Sequence, residues 1–249
     1  MLTRILMHST TWIMRLQPDI PEPIAHRGLR DKYPENSLPA FLAAVDAGVG
    51  GIELDVHATR DNVVVVHHDP VLAAESQSPV AGRAINTVAA ADIATFELSA
   101  GVGLPLLADV LAAVTPRAAV YIEIKAPDIE ALVAGIIRDV PKAAGRCAVH
   151  SFDHRIVRRF GLLAPDVPTG ILQVAYPIDS VSLLNAAHAR DLWQQCEFID
   201  AELVASVHGA GCRVVAWTCN EAVEWMRLRD LGVDGICTDR SAALVEWLG

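Results

Sequence analysis

The feature that most restricts the fold of this chain is an alternation: short apolar runs recur along it, separated by longer stretches in which apolar residues fall at helical spacing. Strand and helix taking turns point to a parallel sheet covered by helices, and away from a β-sandwich or a helical bundle. Strand-like runs occupy residues 23–26, 51–58, 63–68, 119–125, 147–152, 169–173, 194–198, 213–218 and 235–238. Helical periodicity runs through 38–47, 106–114, 129–140, 154–163, 180–189, 201–208 and 222–231. Gly48, Gly209 with Gly211, and Gly232 each follow a helical stretch, where a left-handed residue closes a helix at least cost as glycine. The second and third strand runs are separated only by Thr59, Arg60, Asp61 and Asn62, far short of the dozen or so residues a parallel crossover needs, so they form a hairpin. Setting the return arm aside leaves eight parallel strands, most followed by a helix: a (β/α)₈ TIM barrel, whose usual size of about 250 residues matches the 249 present. An open doubly wound sheet is the alternative, but no Gly-x-Gly-x-x-Gly turn follows the first strand.

With 52% apolar residues, and 20 basic against 30 acidic side chains for a net charge of −10, the chain carries a large core and gives no electrostatic reason to expect a nucleic-acid partner or an anionic membrane. The five cysteines lack zinc spacing and read as reduced core residues. Apolar runs such as 131–137 stop far short of the roughly 18 residues of a membrane span, so no stable membrane insertion is expected. Residues 1–20 contain Arg4, but His8, Ser9 and Thr10 interrupt any apolar signal segment. The expectation is a cytoplasmic, soluble protein made of a 1–20 extension and a single domain over 21–249, with 73–104 an inserted loop region. Whether it forms a homodimer is left open.

In a barrel of this kind the reactive groups stand at the carboxyl ends of strands. The first strand ends in His26-Arg27-Gly28. Glu53 and Asp55, two apart on the second, project from one face and repel unless a cation or proton lies between them. Glu123 and Lys125 share a face of the 119–125 strand, with Ile122 and Ile124 opposite. Three carboxylates and no clustered cysteine favour one hard divalent ion, Mg²⁺ or Ca²⁺. A hairpin turn centred between Arg60 and Asp61 sets Glu53 opposite His68 and Asp55 opposite Val66; a slip of one residue exchanges His67 for His68. Two imidazoles, His26 and His68, then flank a metal site with Arg27 and Lys125 as anion contacts. Cleaving a phosphate diester requires such a set: a base, an acid, and positive charge on the phosphoryl oxygens. Cys237, Trp217 and Phe152 read as packing groups unless they line the mouth.

These residues resemble the glycerophosphodiester phosphodiesterase family. The resemblance rests on IAHRG (24–28), PENS (34–37) and GIELDVHATRDNVVVVHHDP (51–70), and further on LPLLADVL (104–111), YIEIK (121–125), HSF (150–152), AWTCN (216–220) and VDGICTDR (233–240). PENS stands where PENT is commoner, and Cys219 where an aliphatic residue is usual. The resemblance implies a metal-dependent hydrolase on a (β/α)₈ barrel that releases sn-glycerol 3-phosphate and an alcohol. Glu53, Asp55 and Glu123 are then the metal ligands and His26 and His68 the acid–base pair, with Arg27 and Lys125 on the phosphate and Trp217 against the glycerol. It also implies that the substrate's own glycerol hydroxyl attacks first to give a cyclic phosphate. Two readings compete: a phospholipase D-like lyase that stops at a cyclic phosphate from lysophospholipids, and a non-catalytic phosphoester-binding module.

Overall fold

The computed structural model describes residues 20–74 and 76–249. The expected 1–20 extension lies, but for Ile20, outside them. The chain runs β1 (Glu22–His26), α1 (Leu38–Asp46), β2 (Gly51–Ala58), β3 (Val64–Val66), α2 (Ala90–Ile93), β4 (Glu97–Ser99), β5 (Val102–Gly103), α3 (Leu107–Val114), β6 (Ala119–Ile124), α4 (Glu130–Asp139), β7 (Cys147–Ser151), α5 (His154–Leu163), β8 (Thr169–Gln173), α6 (Ser180–Ala187), β9 (Asp191–Gln195), α7 (Ala201–Gly209), β10 (Arg213–Trp217), α8 (Ala222–Leu231), β11 (Gly235–Thr238) and α9 (Ser241–Leu248). Eight strands are parallel and close in the order β1, β2, β6, β7, β8, β9, β10, β11, with β11 back on β1. This is the (β/α)₈ barrel that the alternation implies.

The alternation of side chains along each strand makes two cores. Outward-facing Ile52, Leu54, Val56, Val120, Ile122, Ile124, Val149, Ile171, Leu192, Val214 and Ile236 pack, nearly all without solvent exposure, against the surrounding helices. Inward-facing Ile24, Tyr121, Ala148, Leu172, Trp193, Val215 and Cys237 fill the barrel as an apolar plug, so the interior is packed and only its ends are available for polar chemistry. Below the plug, at the strands' amino ends, Tyr121 donates to Glu22 at 2.7 Å, Arg213 reaches Glu22 at 3.1 Å, and Arg190 grips Asp191 through two hydrogen bonds. Among the described residues no helix is long and apolar enough to cross a membrane.

Three sequence readings change. The strand expected over 194–198 lies at Asp191–Gln195, and 196–198 form a short 3-10 turn. Charged Arg190 and Asp191 disguise its start, yet Asp191 is fully buried because its charge is matched. Helix α9 completes the eighth unit. The hairpin pairs Val56 with Val66, His57 with Val65 and Ala58 with Val64, one residue away from the expected register. Its loop holds three residues instead of two: Thr59 pairs with Val63, and Asn62 takes the left-handed conformation (φ 65°) that such loops require. Strand β3 ends at Val66, with one further rung where the His67 amide donates to the Asp55 carbonyl at 3.0 Å, and the inserted region builds a small core of its own from Val65, Leu72, Val80, Ile85, Val88, Ile93 and Phe96.

Candidate active site

The segment between β1 and α1 is held in an unusual shape by the side chains it presents. Arg27 is left-handed (φ 56°), and Gly28 (φ 86°) lies so near α1 that a Cβ there would meet Ala40 at 2.8 Å, a position only glycine fills. Each residue of Glu35-Asn36-Ser37 then has a task. Glu35 holds Arg27 at 2.8 Å and Arg30 at 2.5 Å; fully buried Asn36 donates to Asp55 Oδ2 at 2.8 Å; and Ser37 caps α1 by accepting from the Ala40 amide.

At the carboxyl ends of the strands lies a cavity of about 190 Å³ lined by His26, Arg27, Glu53, His68, Glu123, Lys125, His150, Phe152, Leu172, Trp193, Trp217 and Cys237. All the site residues expected from sequence except Asp55 line it, and Asp55 adjoins it through Lys125 Nζ at 3.5 Å and Arg27 Nε at 3.2 Å. Phe152, Trp217 and Cys237, read as packing groups, line it too; Trp217 packs edge-on to Phe152 at 5.4 Å and donates to the Trp193 carbonyl.

His68 reaches the cavity by a route other than the expected register. Because β3 ends at Val66, the following backbone turns, and His57 Nε2 donates to the His68 carbonyl at 3.0 Å and fixes it there. His67 turns away and meets Phe96 edge-on at 6.4 Å. Both histidines of the pair have a carboxylate on Nδ1: His26 with Asp239 at 2.7 Å and His68 with Asp69 at 2.7 Å. That contact assigns Nδ1 as the donor and frees Nε2 for proton transfer. Asp239 is itself held by Asn220 at 2.8 Å and Arg30 at 3.2 Å. Burial alone would raise its carboxyl, but the hydrogen bond and charge of His26, with Asn220 and Arg30, outweigh it and hold the group at about 2. Neither Asp239 nor Asn220 stands out in the sequence. The usable signal is position, for Asp239 immediately follows β11 as His26 ends β1.

The carboxylates crowd. Glu123, mostly buried, has its carboxyl pushed up to about 8, first by burial and then by the neighbouring charges of Asp55 and Glu53, against the pull of Lys125 at 3.0 Å. Burial also raises the Asp55 carboxyl, but Arg27, Lys125 and Asn36 bring it below its ordinary value. Among the described residues, Glu53, Glu123 and His150 each offer a donor atom, all within 4.8 Å of one another. Asp55 Oδ1, next to them, is buried without a hydrogen-bond partner. Excess negative charge, with an Asp55 oxygen that Lys125 Nζ approaches only to 3.5 Å, fits a cation, and the donor set present can hold one.

Comparison with known proteins agrees with this geometry. The family model described as the glycerophosphoryl diester phosphodiesterase family matches residues 26–243. A glycerophosphodiester phosphodiesterase of Caldanaerobacter subterraneus subsp. tengcongensis is 30% identical over 233 residues, 90% of this chain and 96% of that one. The crystal structure of a glycerophosphodiester phosphodiesterase from Agrobacterium tumefaciens superposes with a TM-score of 0.81 at 23% identity, covering 91% of this chain and 100% of that one. A phosphodiesterase from Oleispira antarctica, solved in complex with the product sn-glycerol-3-phosphate, gives 0.81 at 21% identity over 91% and 96%.

Proposed function

Since the chain belongs to the glycerophosphoryl diester phosphodiesterase family, we propose that its single domain, 21–249, hydrolyses glycerophosphodiesters to sn-glycerol 3-phosphate and an alcohol, with His26 and His68 as the acid–base pair. The observation that carries this reading is the pair of imidazoles, each backed on Nδ1 by an aspartate, lining one cavity together with Arg27 and Lys125. One imidazole takes the proton of the attacking hydroxyl and the other returns a proton to the departing alkoxide, while Arg27 and Lys125 hold the phosphoryl oxygens. Trp217 and Phe152 form an apolar wall against which the glycerol carbons lie. Attack by the glycerol's own hydroxyl expels the alcohol and leaves a cyclic phosphate, which water then opens to glycerol 3-phosphate with the two imidazoles exchanging roles. Glu53, Asp55 and Glu123 would hold a divalent cation, which when bound supplies positive charge to the phosphate. The five free cysteines support a cytoplasmic location.

A panel of glycerophosphodiesters assayed for glycerol 3-phosphate, with and without chelator, tests the reading. Release of glycerol 3-phosphate that chelation abolishes supports it; no release from any member overturns it. A second reading, a lysophospholipid substrate, has one observation in its favour: the segment after β8 exposes Val174, Tyr176 and Ile178 at the end of the barrel where Phe152 is also half exposed. Turnover of a lysophospholipid faster than of any water-soluble diester would make it the primary reading.

A further inference from the structure

The segment that follows β10 carries two side chains of the site with a thiol between them. Trp217 walls the cavity. Asn220 holds Asp239 twice: its side-chain amide donates to Oδ2 at 2.8 Å, and its oxygen accepts from the Asp239 backbone amide at 2.9 Å. Fully buried Cys219 immediately precedes Asn220.

A second thiol lies beside it. Strands β9 and β10 are parallel with Gln195 opposite Trp217, so Cys196 and Cys219 both follow the last rung of one ladder. They share the buried cluster between barrel and helices, whereas Cys237 belongs to the plug inside the barrel and Cys212 precedes the far end of β10. The Cys196 sulfur reaches the Thr218 carbonyl at 3.9 Å and Glu224 Oε1 at 3.6 Å. The Cys219 thiol donates to it; that bond holds the Cys196 thiol below its ordinary value, against burial and the charge of Glu224, and holds the Cys219 thiol above. The pair is asymmetric: Cys196, with a carboxylate to take its proton, is the attacking sulfur, and Cys219 is the one that completes the bond. Arg227 donates to the Cys196 and Ile199 carbonyls, both at 2.8 Å, and fixes the Cys196 side.

We propose that Cys196 and Cys219 form a reversible disulfide under hydrogen peroxide, and that this bond turns the site down by displacing Asn220 from Asp239. Cys196 passes its proton to Glu224 and its sulfur attacks one peroxide oxygen; the O–O bond breaks, and the departing hydroxide takes that proton as water. The Cys219 sulfur then attacks the sulfenic acid, the S–O bond breaks, and hydroxide leaves with the Cys219 proton as a second water. Two thiols are oxidised and one peroxide is reduced. Cys196 keeps 6% exposure, an opening for an oxidant of that size. To bond, the sulfurs must close to about 2.05 Å. With Cys196 fixed by Arg227, the approach draws on Cys219, and Asn220 moves with it. The effect on turnover rests on the reading of this cavity as a hydrolytic site; the disulfide itself does not.

The full chain, in Mg²⁺ and separately in Ca²⁺, is exposed to hydrogen peroxide, cleared of it with catalase, and divided between digestion with mass spectrometry and assay of glycerol 3-phosphate release. A Cys196–Cys219 link, told from Cys212 by fragmentation, should appear together with a fall in kcat of about tenfold or more at nearly constant KM. Dithiothreitol should reverse both. Cys196→Ala and Cys219→Val should each be active when reduced and stay so after peroxide. The wild-type mapping stands even if a variant fails to fold. No link, a link through another cysteine, or an equal loss in the variants overturns the proposal. A link with kcat unchanged overturns its coupling to Asp239. A link in protein that releases no glycerol 3-phosphate even before oxidation overturns the hydrolytic reading and leaves the disulfide standing.

Discussion

At the amino end of the barrel, Glu22 and Asp191 meet Arg190 and Arg213, and Tyr121 donates its hydroxyl into the same group, so two carboxylates are matched by two guanidinium groups. At the carboxyl end, Glu35, Glu53, Asp55, Glu123 and Asp239 share Arg27, Arg30 and Lys125: five carboxylates for three cations. The two ends are separated by one apolar plug. Burial pushes the Asp191 carboxyl up, and Arg190 and Arg213 more than reverse it; at Glu123 burial and neighbouring carboxylates win over Lys125. The lower end is neutralised by the chain itself, whereas the upper end keeps carboxylates in excess of its own cations and has a donor group that can hold a metal ion.

The contrast can be broken from either side. The largest effect is expected at the top, where His26→Ala should lower kcat about 10²- to 10⁴-fold with little change in thermal midpoint. At the bottom Asp191→Ala should do the reverse: removing one side of a buried pair costs about 3–5 kcal/mol, read as a lower denaturant midpoint, while kcat per folded molecule holds. If Asp191→Ala abolished turnover in fully folded protein, the two ends would not be separable. Asp239→Asn leaves the shape and removes the charge behind His26; it should lower kcat roughly tenfold or more and move the pH profile of kcat/KM, which a merely structural role would leave in place.

Glu123 supplies a pH test. Its folded value, about 8, lies above the ordinary 4.5, so its favourable contribution is complete below about 4.5 and is lost as pH rises through about 8. Metal-free protein should therefore lose thermal stability across that window more than Glu123→Gln does, and added divalent metal should remove the difference. Parallel pH curves for the two proteins would contradict the crowding at the upper end. The smallest effect is expected from Tyr121→Phe, which deletes one hydrogen bond at the bottom and should cost about 1 kcal/mol without altering kinetics.

The barrel is legible in the sequence because strands buried on both sides still separate their faces. Ile122 and Ile124 must turn outward if Glu123 and Lys125 turn inward, and they do. The gathering of Glu53, Glu123, His26 and Lys125 follows from the same period. What is hidden depends on pairing across the fold. Arg190 and Asp191 look like a loop until their mutual neutralisation is seen, and the start of β9 is lost with them. The hairpin register turns on whether Arg60-Asp61-Asn62 forms a three-residue loop, which the left-handed Asn62 decides. His150 looks like one more residue of an apolar strand until its place beside Glu53 and Glu123 is seen.

The contact between His26 and Asp239 also bears on biosynthesis. It joins residues 213 apart in sequence, across the seam where β11 docks on β1. The first strand thus waits unpaired on one edge until the last is made, and a loop of that span is slow to close. A chain emerging from the ribosome holds its carboxylate cluster well before the aspartate that orients His26 exists, so hydrolytic competence should arrive late and all at once. A nascent chain arrested before residue 239 should be inert however much of its barrel has formed.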